Sequence, residues 1–263
     1  MPVTCPNIGI APDPNLILWR YMELDRFQSF LERESLFFSR ADKFSDPFEG
    51  SIPKKVYDFR NEAQGKRFRN GVQPDSEQIA NRIANLADTH LMFKRTHVIN
   101  CWHNNSNESD AMWRLYLKTN EGVAIQTTAA RLMQSLEGSD RDIKISQVRY
   151  VDYDRDGFYG EDYQHSGYNF FMPLIHKRNE FIHEREVRLI HDVRAAERDN
   201  SYWENQESEG GMFIELDLDV LVDKIILPPT SDEKVRQKVE LLVDRFGHHF
   251  ELEKSVLSNE AYF

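Results

Sequence analysis

Leu16-Ile-Leu-Trp-Arg-Tyr-Met22, then Leu24, Phe27, Phe30 and Leu31, then Leu36-Phe-Phe-Ser39, is the stretch that decides the fold. The first run is apolar and rich in β-branched and aromatic residues, as a buried strand requires. The three- and four-residue spacing that follows is that of a short amphipathic helix, and the apolar pattern returns at once as a second strand. Strand, helix and strand within 24 residues leave no room for a long helical hairpin, and the reading extends outward from there.

Phe44-Ser-Asp-Pro-Phe-Glu-Gly50 is turn chemistry. From Asp75 to about His90, Ile79, Ile83, Leu86 and Leu91 predict a surface helix, part of a helical insertion at about 57–97. Val98 to Trp102, Gly122 to Thr127, Ile143 to Tyr150, Phe181 to Val193, Met212 to Leu218 and Lys224 to Leu227 read as further strands. Ser106 or Asn107 is expected to cap a helix carrying Met112, Trp113, Tyr116 and Leu117, and Ser231 to cap one running to Phe246. Asp152 to Tyr168 reads as a long surface loop. Strands outnumber helices without strict alternation. The expected class is therefore α+β, one domain with a core at about 16–257, built on a mostly antiparallel or mixed central sheet with peripheral helices.

Composition bounds the function. The 263 residues are 40% hydrophobic, 12% aromatic and 29% charged, and 33 Lys and Arg stand against 44 Asp and Glu for a net charge of −11. That balance opposes attraction to DNA or to anionic membranes, so direct nucleic-acid binding is not expected. No apolar run approaches the roughly 20 residues of a membrane span, and the N-terminus lacks a signal pattern; a cytoplasmic protein is expected. Cys5 and Cys101 fit no zinc spacing and are read as reduced thiols. No phosphate loop, dinucleotide fingerprint, zincin helix or nucleophile elbow occurs, and no metal is assigned.

Three constellations remain. In Lys177-Arg-Asn-Glu-Phe-Ile-His183-Glu184-Arg185-Glu186-Val187-Arg188-Leu-Ile190, a continuous strand would set Glu184, Glu186 and Arg188 on one side, opposite Val187 and Leu189. Such a carboxylate pair can hold a sugar hydroxyl with one member and stabilise a developing cation or position a nucleophile with the other. A solvated strand face with a cross-strand ion pair is the plainer reading. The second constellation is Trp19-Arg20-Tyr21 and Phe38-Ser39-Arg40, where a strand arginine needs a carboxylate or a phosphate. The third is Cys101-Trp102-His103 with Glu108 to Tyr116, whose Trp102 and Trp113 either wall a flat ligand or pack as core. A metal-dependent nuclease using Asp46, Glu49 and Glu184 is a further alternative that the acidic charge disfavours.

Leu18-Trp-Arg-Tyr, Leu36 to Gly50, Cys101-Trp-His, Glu108-Ser-Asp-Ala-Met-Trp, Glu121-Gly-Val-Ala-Ile and Glu184-Arg-Glu-Val-Arg together resemble a bacterial family designated domain of unknown function 2971. A more distant similarity is to toxin-type ADP-ribosyltransferases, which place an arginine on an early strand, a serine on the next and a Glu-x-Glu on a later one. Arg20, Ser39 and Glu184-Arg-Glu186 occur in that order. The likeness implies NAD as a small-molecule nucleotide substrate. Ser39, Glu184 and Glu186 would then be catalytic, Glu186 at the nicotinamide ribose and Glu184 positioning the acceptor, while Arg20, Tyr21, Trp102, Trp113 and Arg188 would bind. It requires Arg20 and Glu186 to line one cleft. The alternative is a non-catalytic nucleotide- or anion-binding module in stress or phage defence, gripping its ligand with Arg20, Arg188 and the Trp102/Trp113 pair.

Overall fold

The computed structural model describes residues 3–59, 90–158, 171–193 and 210–261. The chain opens with β1 (Ile17–Glu23), α1 (Leu24–Arg33) and β2 (Ser35–Arg40). Alternation along β1 sends Leu18 and Met22 into the main core and Trp19 and Tyr21 to the other face of the sheet. The 3.6-residue period of α1 buries Phe27, Phe30 and Leu31 on that same core, and Glu34 in the left-handed region, φ 43°, ends the helix. β3 (His97–Asn104), α2 (Asp110–Tyr116), β4 (Gly122–Thr128), α3 (Ala129–Ser135) and β5 (Ile143–Gln147) follow. Then come β6 (Arg149–Val151), β7 (His176–Arg178), β8 (Glu186–Asp192), β9 (Gly211–Glu215), α4 (Leu218–Leu221), β10 (Lys224–Leu227), α5 (Glu233–Arg245) and β11 (Leu252–Lys254).

Nine strands form one sheet in the order β11-β10-β4-β1-β3-β2-β9, with β8 on β3 and β5 on β8. Every pairing in it is antiparallel except β10 with β11. β6 and β7 make a separate parallel pair. The class is α+β with a mixed, mostly antiparallel sheet and peripheral helices. The main core joins Leu18, Phe27, Phe38, Trp102, Val187 and Val239 from strands and helices far apart in sequence. Among the described residues no helix is long and apolar enough to cross a membrane, and both cysteines are free thiols.

Local expectations shift by a residue or a few at caps and ends. Ser109, not Ser106 or Asn107, caps α2, because its hydroxyl accepts from the Met112 N–H. Asp232 caps α5 by accepting from the Val235 N–H at 3.0 Å, while the Ser231 hydroxyl turns back to the Pro228 carbonyl. The run from Ile143 to Tyr150 breaks at Val148 into β5 and β6, and β9 stops at Glu215, so that Leu218 opens α4. Residues 54–59 and 90–96 are helical, whereas 60–89, the body of the expected insertion, and 159–170, most of the expected long loop, lie outside the described residues.

Candidate functional site

The sheet forks on β3. One edge of β3 pairs with β8 from His97 to His103. The other is divided: Trp19 and Leu18 of β1 take His103 and Asn104, and Ser39 and Arg40 of β2 take Ile99 and Val98. Among the described residues, Asn100 to Trp102 therefore have no strand partner on that edge, and side chains fill the role. Asn100 Nδ2 donates to the Phe37 carbonyl at 2.9 Å, and Arg20 Nη1 donates to the Cys101 carbonyl at 2.6 Å. A cleft of about 550 Å³ opens at the fork, within the range of small-molecule sites.

Register explains why the fork matters. The pairs Trp19–His103 and His103–Glu186 put those three side chains on one face, so Arg20, Trp102 and Val187 start from the other. In an unbroken sheet Arg20 and Glu186 would be separated by the backbone layer. Where β1 and β2 diverge, both line one cleft, together with Ser39, Glu184, Trp102 and Tyr116.

Arg20 is half-buried, has the Trp102 ring 5.9 Å from its guanidinium carbon, and has no carboxylate partner among the described residues. Desolvation lowers its pKa. A guanidinium withdrawn from water keeps hydrogen-bonding capacity that one carbonyl does not use up. Arg26, exposed on α1, borders the same cleft. Ser39 lines it half-buried, its hydroxyl making only a 3.5 Å contact with the Arg40 carbonyl. Tyr21 also borders it, its hydroxyl accepting from the Ser109 N–H and its ring meeting Trp113 edge-on at 4.9 Å.

The carboxylate segment is not one continuous strand. Asn179–Glu184 is a 3-10 turn, Arg185 takes the left-handed conformation at φ 43°, and only Glu186 begins β8. The backbone N–H of Arg185 closes the turn on the Ile182 carbonyl, and its own carbonyl accepts from Asn104. Simple alternation therefore does not bring the two glutamates together; a cation does. Lys177 on β7 reaches Glu184 Oε2 at 2.5 Å and Glu186 Oε1 at 3.0 Å. Arg188, fully buried, holds Glu186 Oε2 at 2.5 Å, both oxygens of Glu49 at 2.5 and 3.1 Å, and the Leu174 carbonyl at 2.7 Å.

Two cations thus face three carboxylates in a buried cluster, and one proton makes it neutral. Burial, and then the hydrogen bond and charge of Glu186, raise the Glu184 pKa to about 7. For Glu186 burial acts in the same direction, but Arg188, the hydrogen bond from Glu184 and Lys177 outweigh it and hold its pKa well below the usual carboxylate range. Environment has split the pair into an acid, Glu184, and an anion, Glu186. The sign for stability follows. Between the ordinary glutamate value and about 7, folded Glu184 keeps a proton that the unfolded chain has lost, so its contribution to stability falls as pH rises through that window. Glu186 acts only in the acid limb, where stability falls as pH drops below the ordinary value. Urea unfolding followed from pH 5 to 8 is expected to show wild-type stability falling relative to that of Glu184→Gln as pH rises, the buried His103 and His176 acting alike in both proteins; parallel curves would mean that folded Glu184 is ionised throughout.

Two expected binding residues are not brought to the cleft. Arg188 is spent inside the cluster, with no accessible surface. Trp113 packs with Trp19, Tyr21 and Met112, its indole N–H donating to Glu108. The nuclease alternative loses its ligands: Asp46 is paired with Arg178 at 2.8 Å and Glu49 with Arg188. Lys177 lines the cleft and was given no role in the expected site, while His103 and Tyr116, members of the third constellation with no role assigned to them, line it too. Lys177 and His103 stand within quoted motifs, but their direction depends on strand ends and on a fork that no local pattern marks. No protein-family model matches the chain, and no curated protein matches its sequence.

Proposed function

We propose that the fork cleft is the site of an NAD-using enzyme, an ADP-ribosyltransferase or NAD glycohydrolase, with Arg20 on the pyrophosphate and Glu186 against the nicotinamide ribose. The observation that carries the reading is the polarity of the cleft, which has on one wall a desolvated guanidinium with no carboxylate partner among the described residues and a proton-sharing carboxylate pair on another. NAD has the same polarity, a doubly anionic pyrophosphate joined through ribose to a cationic nicotinamide ring. Cleavage of the glycosidic bond to that ring releases neutral nicotinamide and develops positive charge on the ribose, which the fixed Glu186 anion stabilises. Glu184, titrating near neutrality, is suited to take the proton of the incoming acceptor hydroxyl or water. Ser39 and Tyr116 border the space between.

Calorimetry with NAD and a nicotinamide-release assay test this directly. Arg20→Ala is expected to weaken NAD binding by roughly 10- to 100-fold, since it removes the charge-assisted hydrogen bonds to the pyrophosphate. An unchanged affinity would place the phosphates elsewhere.

A non-catalytic nucleotide- or anion-binding module is the second reading, and Lys177 favours it. A lysine wedged between the glutamates offsets the negative charge that a transferase would use. NAD binding without nicotinamide release, candidate acceptors present, selects this reading over the first.

A further inference from the structure

β3 sets His103 beside both glutamates. By register it faces Glu186 across the strand pair, and its Nδ1 lies 2.7 Å from the Glu184 carbonyl oxygen. A carbonyl oxygen only accepts, so Nδ1 carries the ring hydrogen. Burial, with Arg185 and His183 acting in the same direction, outweighs the hydrogen bond to Glu184 and lowers the His103 pKa, which favours the neutral ring. Nε2 is then a lone pair without a hydrogen. The ring borders the fork cleft, is 5% exposed, and has the Tyr21 ring 6.4 Å away. Nε2 itself is buried with no hydrogen-bond partner among the described residues. Native proteins leave few buried acceptors in that condition, and those at a cleft are candidates for pairing with a ligand.

We propose that His103 determines specificity for the leaving base, its Nε2 accepting a hydrogen bond from the amino group of a primary carboxamide; this rests on the NAD reading above. Two features select that donor. An acceptor-only nitrogen whose cross-strand neighbour is Glu186 offers nothing to a carboxylate or phosphate oxygen, which brings neither a hydrogen nor a compatible charge. Its cross-strand neighbour is Glu186, the group assigned to the nicotinamide ribose, so the base on that ribose is the part of the ligand within reach, and the carboxamide holds the only N–H donors of nicotinamide. His103 acts here through binding alone and transfers no proton.

The probes are NAD and the otherwise identical dinucleotide that carries nicotinic acid in place of nicotinamide. Each is titrated by calorimetry into the wild type, His103→Phe and His103→Gln, and the melting temperature of each protein is recorded. The wild type is expected to bind NAD at least roughly tenfold more tightly than the acid analogue. His103→Phe keeps a ring against Tyr21 but removes the acceptor, so the ratio of the two affinities falls toward one. His103→Gln, whose side-chain carbonyl accepts, restores part of it. A residue serving only the fold would lower the melting temperature and weaken both ligands by one factor with their ratio unchanged, which overturns the assignment. Equal affinity of the wild type for both dinucleotides overturns it too, and leaves the NAD reading standing. A wild type that binds neither removes the NAD reading and this inference with it.

Discussion

Glu186→Gln is expected to slow nicotinamide release from NAD by roughly 10²- to 10³-fold, the loss seen when one preorganised electrostatic group is removed. The substitution keeps the shape of the side chain and removes only its charge, so NAD affinity should change little. The fold needs separate thought, because Glu186 holds both Lys177 and Arg188. Its neutralisation would leave those cations facing Glu49 and a protonated Glu184. With the neighbouring anion gone, however, burial is the one cause left that favours the proton on Glu184 and Lys177 opposes it, so Glu184 releases the proton more readily and in doing so restores neutrality to the cluster. The expected stability loss is therefore about 1 kcal/mol, that of an imperfectly replaced hydrogen bond. Glu184→Gln should behave differently, affecting the departure of nicotinamide less and mainly weakening capture by the acceptor, since the proposed role of Glu184 is on the incoming nucleophile. Single-turnover nicotinamide release, transfer to an added acceptor and melting temperature separate the two variants. Equal losses in both, with lowered melting temperatures, would show that the pair is structural.

What the sequence disclosed about this site, and what it hid, divides along local and non-local lines. β1, α1 and β2 were legible because Leu18 and Met22 alternate with Trp19 and Tyr21, and because Phe27, Phe30 and Leu31 recur at the helical period. Arg20 and Ser39 stood out as polar residues inside apolar strands. The break before Glu186 was hidden because Arg185 takes a left-handed conformation more common for glycine, and arginine gives no signal of it. Phe181 to Ile190 alternates well enough to pass for one strand, and the 3-10 turn is set by tertiary contacts to Lys177 and Asn104. Arg188 was hidden for a different reason. An arginine between two apolar strand residues reads the same whether it faces water or a buried carboxylate, and Glu49 lies 139 residues away in the chain. The fork itself depends on where β1 and β2 each leave β3, a matter of three chain segments meeting, and no window of sequence contains it.

Arg188→Met is expected to lower stability by about 3–5 kcal/mol, the usual cost of removing one partner from a buried ion pair. Methionine is nearly as long as arginine and packs adaptably, so little of the loss comes from a cavity; it comes from charge. Without the guanidinium, Glu49 and Glu186 remain buried, the Leu174 carbonyl loses its donor, and Lys177 is the one cation left among three carboxylates. Neutrality would then take two protons, and at pH 7 Glu184 can carry only one. Glu49→Gln provides the contrast. It removes an anion, so Glu184 can ionise in compensation, and the amide oxygen still accepts from Arg188; about 1–2 kcal/mol is expected. The spare proton therefore protects the cluster against losing a carboxylate but not against losing a cation. Urea unfolding at pH 7 reads both variants, and equal losses would mean that Glu184 holds no proton to release. The same asymmetry bears on the site, because Arg188 is one of the two cations that keep Glu186 ionised. In Arg188→Met the Glu186 pKa should rise toward the ordinary carboxylate range, and nicotinamide release should fall at acidic pH before it falls at neutral pH.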